Sequence, residues 1–368
     1  MKKFTITCLS LALTIVLSAQ NQFFMSDVDG ESRTLEQLME EHHVSGAAVA
    51  IFRNFELDTT IYMGNTAANA NTAVNVQTAF QVGSMTGAVT RFAVVRLASE
   101  GRIRLDDPAN KYLTSYQIED KSFTKENPIT IRDLILHRRG FNPVYKPEGY
   151  KKGAVLPSLI NIMKGEKPSN LAKLNLKKDE AQKSSLANVI LLQMLLEDIH
   201  QKTFATIIQE QVLNPIGMND SWIATELSLE QETLTAKGHE ENGTPLQDGY
   251  HRYPEQAHSG LWATPLDYGK FVMHIYKAAR GKDNSLISQE LAHEGIQSQN
   301  DYQGLLLLTK DDGTNYWGGA SKGYYCQFTG NAQEGWLVVG CANRQLAWQY
   351  VNWYLNPRST EYAQRVEH

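Results

Sequence analysis

The stretch Phe80-Gln-Val-Gly-Ser-Met-Thr-Gly-Ala-Val-Thr-Arg-Phe92 decides how the chain is interpreted, and Ser84 and Gly87 are its key residues. Residues three apart on a helix share a face, so a side chain at position 87 would reach the Ser84 hydroxyl. A serine hydroxyl is a poor nucleophile until a neighbouring base takes its proton, and glycine offers none. Glycine also costs about 1 kcal/mol relative to alanine inside a helix. This stretch alone therefore predicts that Ser84 caps the helix.

The composition is that of an ordinary globular protein. The chain has 368 residues, of which 42% are hydrophobic, so it can bury one large core or two smaller ones. A net charge of -5 with 20% charged residues provides no basic stripe of the kind that nucleic-acid-binding proteins carry. No spacing of Cys and His resembles a zinc site. We therefore expect no nucleic-acid partner, metal or cofactor, while small-molecule, glycan and protein partners stay open.

The first residues have the order of a secretory signal peptide. Lys2-Lys3 precedes an apolar run from Leu9 to Leu17, and Ser18-Ala19-Gln20 follows it. A membrane anchor would need roughly 20 apolar residues, and this run is shorter and interrupted. Cys8 lies too early for a lipoprotein cysteine at the cleavage point. We expect residues 1–19 to be removed, leaving a periplasmic or extracellular chain without an integral membrane span.

Apolar periodicity predicts strands at both ends of the chain and helices between them. The predicted strands are Gly46–Phe52, Thr59–Met63, Gly304–Thr309, Gly323–Thr329 and Trp336–Cys341. The predicted helices are Glu31–His42, one that begins at Thr86 and stops before Gly101, a short one within Asp106–Leu113, one that begins with a capping box at Thr130–Asp133, Leu156–Met163, Val189–Asp198, Phe204–Val212 and Leu346–Leu355.

This order predicts an α/β fold of the α+β type, in which one sheet is built from the N- and C-terminal segments and a mostly helical region is inserted. The expected domain covers residues 20–368. Its α/β part would comprise about 25–83 and 256–368, and its helical part about 84–255.

Two cysteines, Cys326 and Cys341, flank the turn-like segment 331–335, so they could face each other on paired strands. An oxidising compartment would permit a disulfide between them. Cross-strand disulfide geometry is demanding, so we expect two buried free thiols instead.

An ordered series of motifs extends from about Leu35 to Leu355. Its members are Phe80-Gln-Val-Gly-Ser84, Leu97-Ala-Ser-Glu-Gly-Arg-Ile-Arg-Leu-Asp-Asp-Pro108, Tyr112-Leu113, Ile129-Thr-Ile-Arg-Asp-Leu-Ile-Leu-His137, Gly140, Asn214-Pro-Ile-Gly-Met-Asn-Asp-Ser221, Tyr253-Pro-Glu-Gln-Ala257 and Gly260-Leu-Trp-Ala-Thr-Pro-Leu-Asp267. Each motif is weak alone, but the ordered set resembles the serine β-lactamase and penicillin-binding protein superfamily, most closely its class C-like esterase branch. The resemblance implies an antiparallel sheet flanked by helices.

The resemblance also implies a site made of three elements, and each lacks its proton-transferring side chain here. Gly87 stands where the lysine of Ser-x-x-Lys belongs, Ser184 where the tyrosine belongs, and Trp317 where a lysine or histidine belongs. The nucleophile position, Ser84, is retained. The backbone amides of Ser84 and Ala320 match the oxyanion donors of the family, which act through geometry rather than side-chain identity.

Other side chains are candidates for the same cleft. His137 matches a family motif, and structural packing is the favoured interpretation. Lys183 adjoins Ser184 and could reach toward Ser84, although a solvated lysine is the simpler interpretation. Lys322 is either a rim charge that attracts an anion or a solvated side chain, and Tyr324 and Tyr325 either stack on a ligand ring or fill the cleft.

These observations predict a secreted, β-lactamase-related pseudoenzyme that binds a small molecule, a glycan or a protein partner. The alternative is a serine hydrolase or acyltransferase that uses Ser84 with rewired proton transfer from Lys183, His137 or water.

Overall fold

The computed structural model describes residues 24–26, 32–119, 127–138, 140–141, 147–177, 185–283, 285–299 and 303–344. The strands are β1 (Phe24–Ser26), β2 (Ser32–Thr34), β3 (Gly46–Arg53), β4 (Glu56–Gly64), β5 (Phe80–Gln81), β6 (Gly140–Phe141), β7 (Leu176–Lys177), β8 (Trp222–Ile223), β9 (Leu261–Ala263), β10 (Leu308–Thr309), β11 (Thr314–Ser321), β12 (Tyr324–Asn331) and β13 (Trp336–Ala342). The α-helices are α1 (Leu35–Glu41), α2 (Thr86–Ser99), α3 (Ile131–Leu136), α4 (Leu159–Lys164), α5 (Leu186–His200), α6 (Phe204–Ile208), α7 (Asn214–Ile216), α8 (Leu229–Thr233), α9 (Gln256–Ser259), α10 (Pro265–Ala279) and α11 (Gln289–Ile296).

The main sheet joins the two ends of the chain. Its six strands are antiparallel and have the order β10-β11-β12-β13-β3-β4. Strand β13 pairs with β3, with Val339 opposite Ala50. Every residue of β13 is buried, as is every residue of β3 before Arg53, which is typical of strands that are covered on both faces. The predicted fold class, with one sheet built from both ends, is confirmed; the domain boundaries stay a prediction.

Helix α2 lies in the interior, as its apolar sequence predicts. Its residues from Thr86 to Val95 are all buried, so no face is left for solvent. Even its polar groups are bonded internally, because the Thr90 hydroxyl donates to the Ala257 carbonyl at 2.9 Å. The short strand β5 pairs with β9 and leads into a 3₁₀ turn, Gly83–Met85, that runs directly into α2. The stretch around Ser84 is thus held from both ends.

Local sequence signals set several helix ends. Helix α3 begins with the predicted capping box, in which the Thr130 side chain accepts from the Asp133 amide and the Asp133 side chain accepts from the Thr130 amide. The prediction of one helix over Phe204–Val212 is only partly right. A π-helical segment, Gln209–Leu213, follows α6, and Arg96 donates to the Gln211 carbonyl at 2.6 Å.

Three other predictions need correction. Of the strand predicted over 304–309, only Leu308–Thr309 forms β10, since the preceding leucines are buried in an irregular loop. The helix predicted within 106–113 is a single 3₁₀ turn, Ala109–Lys111. Helices α10 and α11 were not predicted. Both helices are amphipathic and begin after a Ser or Thr N-cap, so the sequence did carry signals for them.

Cys326 and Cys341 are cross-strand partners and are both buried and free, as predicted. The predicted signal peptide and the closing helix over 346–355 lie outside the described residues. None of the helices above combines the length and apolarity that a bilayer crossing requires.

Candidate functional site

Two glycines allow the turn that carries Ser84 to lie against strand β11. Gly83 has a φ of +57°, and a β-carbon there would lie 2.5 Å from the Ala320 carbonyl oxygen. A β-carbon on Gly319 would lie 2.0 Å from the Val82 carbonyl oxygen. Neither distance is compatible with a side chain. The backbone of residues 318–320 therefore passes directly beside Ser84.

The Ser84 side chain faces this strand instead of capping the helix. Its hydroxyl donates to the Gly318 carbonyl at 3.2 Å, and neither the 3₁₀ turn nor α2 has a side-chain cap. The prediction that Ser84 caps the helix is therefore wrong. The residue is half-buried, so solvent or a ligand can reach it.

Strand β11 turns one of its backbone edges toward Ser84. The Gly318 carbonyl points at Ser84, away from β12, and the backbone groups of successive strand residues point to alternate sides. The amide and carbonyl of Ala320 consequently point to the same side as those of Gly318. The oxyanion role of the Ser84 and Ala320 amides stays a prediction.

The Trp317 indole lies over Gly87. Residues 317 and 319 share one face of β11, the face that packs against the start of α2. Atom Cζ2 of Trp317 is 3.8 Å from the position that a β-carbon on Gly87 would occupy. A side chain at position 87 that extended toward β11 would meet the indole. The ring thus borders the space beside Gly87 on the β11 side.

Arg91, which the sequence interpretation missed, lies beneath the same ring. Its guanidinium carbon is 4.6 Å from the centre of the Trp317 ring, and its Nη2 lies 2.8 Å from Nε2 of His137. Arg91 is only 2% exposed. The helical spacing of Ser84, Gly87 and Arg91, which places all three on one face of the turn and α2, was the signal that could have identified it.

Burial shifts the pKa of the ionisable groups packed around this helix. Burial, the Arg91 charge and His258 hold the pKa of His137 well below its ordinary value. His137 therefore stays neutral and accepts from the guanidinium, which always carries its protons. Burial lowers the pKa of His258 to about 4 and raises that of the Glu255 carboxyl to about 7. His137 is buried and packs in the interior, in agreement with its favoured interpretation.

The residues of the β11–β12 hairpin that were predicted to line the cleft lie in different environments. The Lys322 ammonium pairs with Glu240 at 2.6 Å, so its charge is already compensated. Tyr324 is fully buried, and its hydroxyl lies 2.9 and 2.8 Å from the carbonyls of Ala236 and Gly249. The prediction that Tyr324 lines the cleft is wrong, because the interior takes up its ring.

Tyr325 also lies away from Trp317. It is opposite Ala320 on β12, and a β-carbon on Gly318 would lie 2.7 Å from its hydroxyl, so its ring covers the other face of the sheet. The aromatic edge predicted from Trp317, Tyr324 and Tyr325 together is therefore wrong, and of these three only Trp317 stands over Gly87.

A family model described as Beta-lactamase matches residues 32–349. The chain belongs to the beta-lactamase family. The teichoic acid D-alanine hydrolase of Staphylococcus aureus (strain MRSA252) is 23% identical over 270 residues, which cover 72% of this chain and 62% of that protein. The chain thus spans less than two thirds of the length of this curated relative.

Solved structures of the family have the same fold. The octameric penicillin-binding protein homologue from Pyrococcus abyssi superposes with a TM-score of 0.68 at 20% identity, covering 84% of this chain and 72% of that chain. FmtA from Staphylococcus aureus superposes with a TM-score of 0.66 at 21% identity, covering 84% and 83%.

Two of the three positions at which the beta-lactamase family resemblance places proton-transfer groups lie together here. Gly87 and Trp317 are in contact beside Ser84. Ser184 and its neighbour Lys183 lie outside the described residues, while Ser185, at the start of α5, is buried. Within the described parts of the chain, no group of His, Cys, Asp and Glu side chains could hold a metal ion.

Proposed function

We propose that this beta-lactamase family member is an exported binding protein that holds a ligand beside Ser84 without turning it over. The observation that carries this proposal is the Trp317 indole over Gly87. The ring borders the space through which a lysine at position 87 would approach the serine, and it brings no basic group to the serine.

The loss of catalysis follows from proton transfer. Each positioned acid or base contributes roughly 10²–10⁴-fold to such reactions. Ser84 donates its proton to a peptide carbonyl, which is not a base of useful strength. His137 is buried and already accepts from Arg91, and the Arg91 guanidinium cannot take up a proton. These contacts support binding over hydrolysis.

The ligand class is proposed from the relative that the chain matches. That relative is a teichoic acid D-alanine hydrolase, so the ligand here would be a cell-envelope polymer or a fragment that carries a D-alanyl ester. The ester carbonyl would accept from the amides of Ser84 and Ala320, and the half-exposed Trp317 ring would pack against the polymer. Export through removal of residues 1–19 would bring the protein to such a ligand, and mass spectrometry of the exported chain should find Gln20 at its N-terminus.

Labelling at Ser84 tests the absence of turnover. A fluorophosphonate probe and a fluorescent penicillin should label the wild-type protein no more than the Ser84→Ala variant. The triple variant Gly87→Lys, Ser184→Tyr, Trp317→His is the positive control, because it returns all three proton-transfer groups. Labelling of the wild type that disappears in Ser84→Ala would overturn the proposal and favour the rewired hydrolase.

Binding needs a separate measurement. Calorimetric titration with D-alanyl glycerol phosphate should show saturable binding that Trp317→Ala weakens and Ser84→Ala leaves within a few-fold. An absence of heat with the wild-type protein would contradict the proposed ligand class.

A further inference from the structure

A cavity of about 570 Å³ lies between the segment 115–119 and the end of α4. This volume is in the range of small-molecule pockets, and the cavity shares no lining residue with the surface around Ser84. Part of its lining is apolar: the side chains of Met163 and Leu174 are buried, and Ile160 is 36% exposed.

The walls of this cavity are fixed by the backbone. Gly165 ends α4 with a φ of +65°, and a β-carbon there would lie 2.2 Å from the Lys173 nitrogen. The Leu174 amide donates to the Met163 carbonyl at 3.1 Å. The two chain segments that carry Lys164 and Lys173 are therefore locked side by side.

The opposite wall is anchored in a similar way. The Asp198 carboxylate accepts from the Thr114 and Ser115 amides at 2.7 and 3.0 Å and from the Ser115 hydroxyl at 3.0 Å. Tyr116 lies on this wall, and burial together with the nearby Glu119 raises the pKa of its hydroxyl. The hydroxyl thus keeps its proton and can donate to an acceptor.

The two lysines on the cavity wall differ from six other lysines of the protein, which form ion pairs. Among the described residues, neither Lys164 nor Lys173 has a carboxylate within ion-pair distance. Carboxylate partners are present for Lys111, Lys152, Lys202, Lys270, Lys277 and Lys322. Glu119 lines the same cavity, so the two ammonium groups leave a net positive charge beside an apolar floor, which attracts a negative charge that is joined to an apolar group.

We infer that this cavity binds an amphiphilic organic anion. The carboxylate or phosphate head lies between Lys164 and Lys173, and a short alkyl chain covers Ile160, Met163 and Leu174. The site is independent of the function proposed for Ser84.

Calorimetric titration of the full chain tests this inference with four probes. Octyl phosphate and octanoate should both bind. Octyl glucoside, which has the chain without the charge, should bind at least about tenfold more weakly, and inorganic phosphate, which has the charge without the chain, should give no measurable binding. Octanoate and octyl phosphate also distinguish which head the site prefers. Failure of both to bind the wild-type protein would overturn the inference.

Paired variants locate the binding. Lys164→Gln with Lys173→Gln should weaken octyl phosphate by about tenfold per lysine, whereas Lys151→Gln with Lys167→Gln, two exposed lysines elsewhere, should change it less than about twofold. Ile160→Ser should weaken octyl phosphate several-fold, and Val155→Ser, at a residue that is 75% exposed, should not. If the cavity variants and their control variants weakened binding equally, the anion would bind elsewhere, and the inference would be overturned.

Discussion

The Ser84 site has a strand side, formed by β11, and a helix side, formed by α2, and the two differ in which features of the family resemblance they retain. On the strand side, Gly83 and Gly319 let the turn and β11 approach until a β-carbon would overlap a carbonyl oxygen. On the helix side, the Trp317 ring lies over Gly87, where the family resemblance places a lysine, and Arg91 packs against the ring.

This difference shows that backbone contacts and side chains have separate roles at the site. The close approach on the strand side stabilises the fold, because it joins the sheet to the turn that begins the central helix. The side chains on the helix side are the ones that proton-transfer chemistry would require, and their replacement leaves this backbone contact in place. The proposed binding function requires only that the side chains for chemistry were replaced while this backbone contact was kept.

The strand side should show the largest effect on stability. Gly319→Ala brings a methyl group within 2.0 Å of the Val82 carbonyl, and backbone cannot yield as a flexible side chain can. We expect a loss of about 3 kcal/mol or more in the free energy of unfolding, measured by urea titration. Gly318→Ala is the matched control, because its nearest contact is the Tyr325 hydroxyl at the end of a side chain, and it should cost less than about 1 kcal/mol. Equal losses of unfolding free energy in the two variants would mean that the serine turn and β11 are not packed as closely as these distances indicate.

The buried groups near the helix should make stability depend on pH. The folded-state pKa of His258 is about 4, below its ordinary value, because the ring is buried. As the pH falls, the unfolded chain therefore binds a proton near pH 6.5, whereas the folded protein binds it only near pH 4. The contribution of His258 is present above pH 6.5 and is lost as the pH falls toward 4, at up to about 1.4 kcal/mol per pH unit. Urea titrations at several pH values should show a shallower decline for His258→Asn.

Glu255 should act in the opposite direction over the same range. Burial raises its folded-state pKa to about 7, so the folded protein keeps a proton that the unfolded chain has released. Its contribution is complete below about pH 4.5 and is lost as the pH rises through 7. Glu255→Gln should raise stability at pH 8 relative to pH 5. A pH profile that neither variant alters would show that these groups are solvated in the folded protein.

The contact between Gly87 and Trp317 should appear as a coupling between the two positions. Gly87→Lys alone should cost about 2 kcal/mol of unfolding free energy, since the new side chain meets the indole. In a Trp317→Ala background the same change should cost at least about 1 kcal/mol less. Additive changes in unfolding free energy in this double-mutant cycle would show that the Trp317 ring does not contact a side chain at position 87.

The smallest effect should come from Gly87→Ala. A β-carbon fits there at 3.8 Å from the ring, so the gain in helix propensity should stabilise the protein by about 0.5–1 kcal/mol. Gly101→Ala tests the backbone argument, because that position has open space but a φ of +70°, and the change should destabilise. A loss of stability in Gly87→Ala would mean that the indole packs more closely than its distance indicates.

Local signals were the most dependable part of the sequence interpretation. The Thr130–Asp133 capping box, the buried strand β3 and the interior helix α2 depend on neighbouring residues and were predicted correctly. The prediction for Tyr325 failed because alternation along a strand gives two faces without stating which one is the cleft. Tyr324 shares the sheet face of Trp317, but the segments that carry Ala236 and Gly249 cover it.

The sequence by itself determined the order of the elements, the joining of both ends in one sheet, and the absence of a lysine three residues after Ser84. Only the tertiary structure decided what fills the vacant space, because Trp317 and Gly87 are far apart in the chain and meet only where β11 is pressed against the serine turn. Arg91 became part of the site for the same reason: a buried charge acquires its neighbours from packing, and no local pattern in the sequence specifies them.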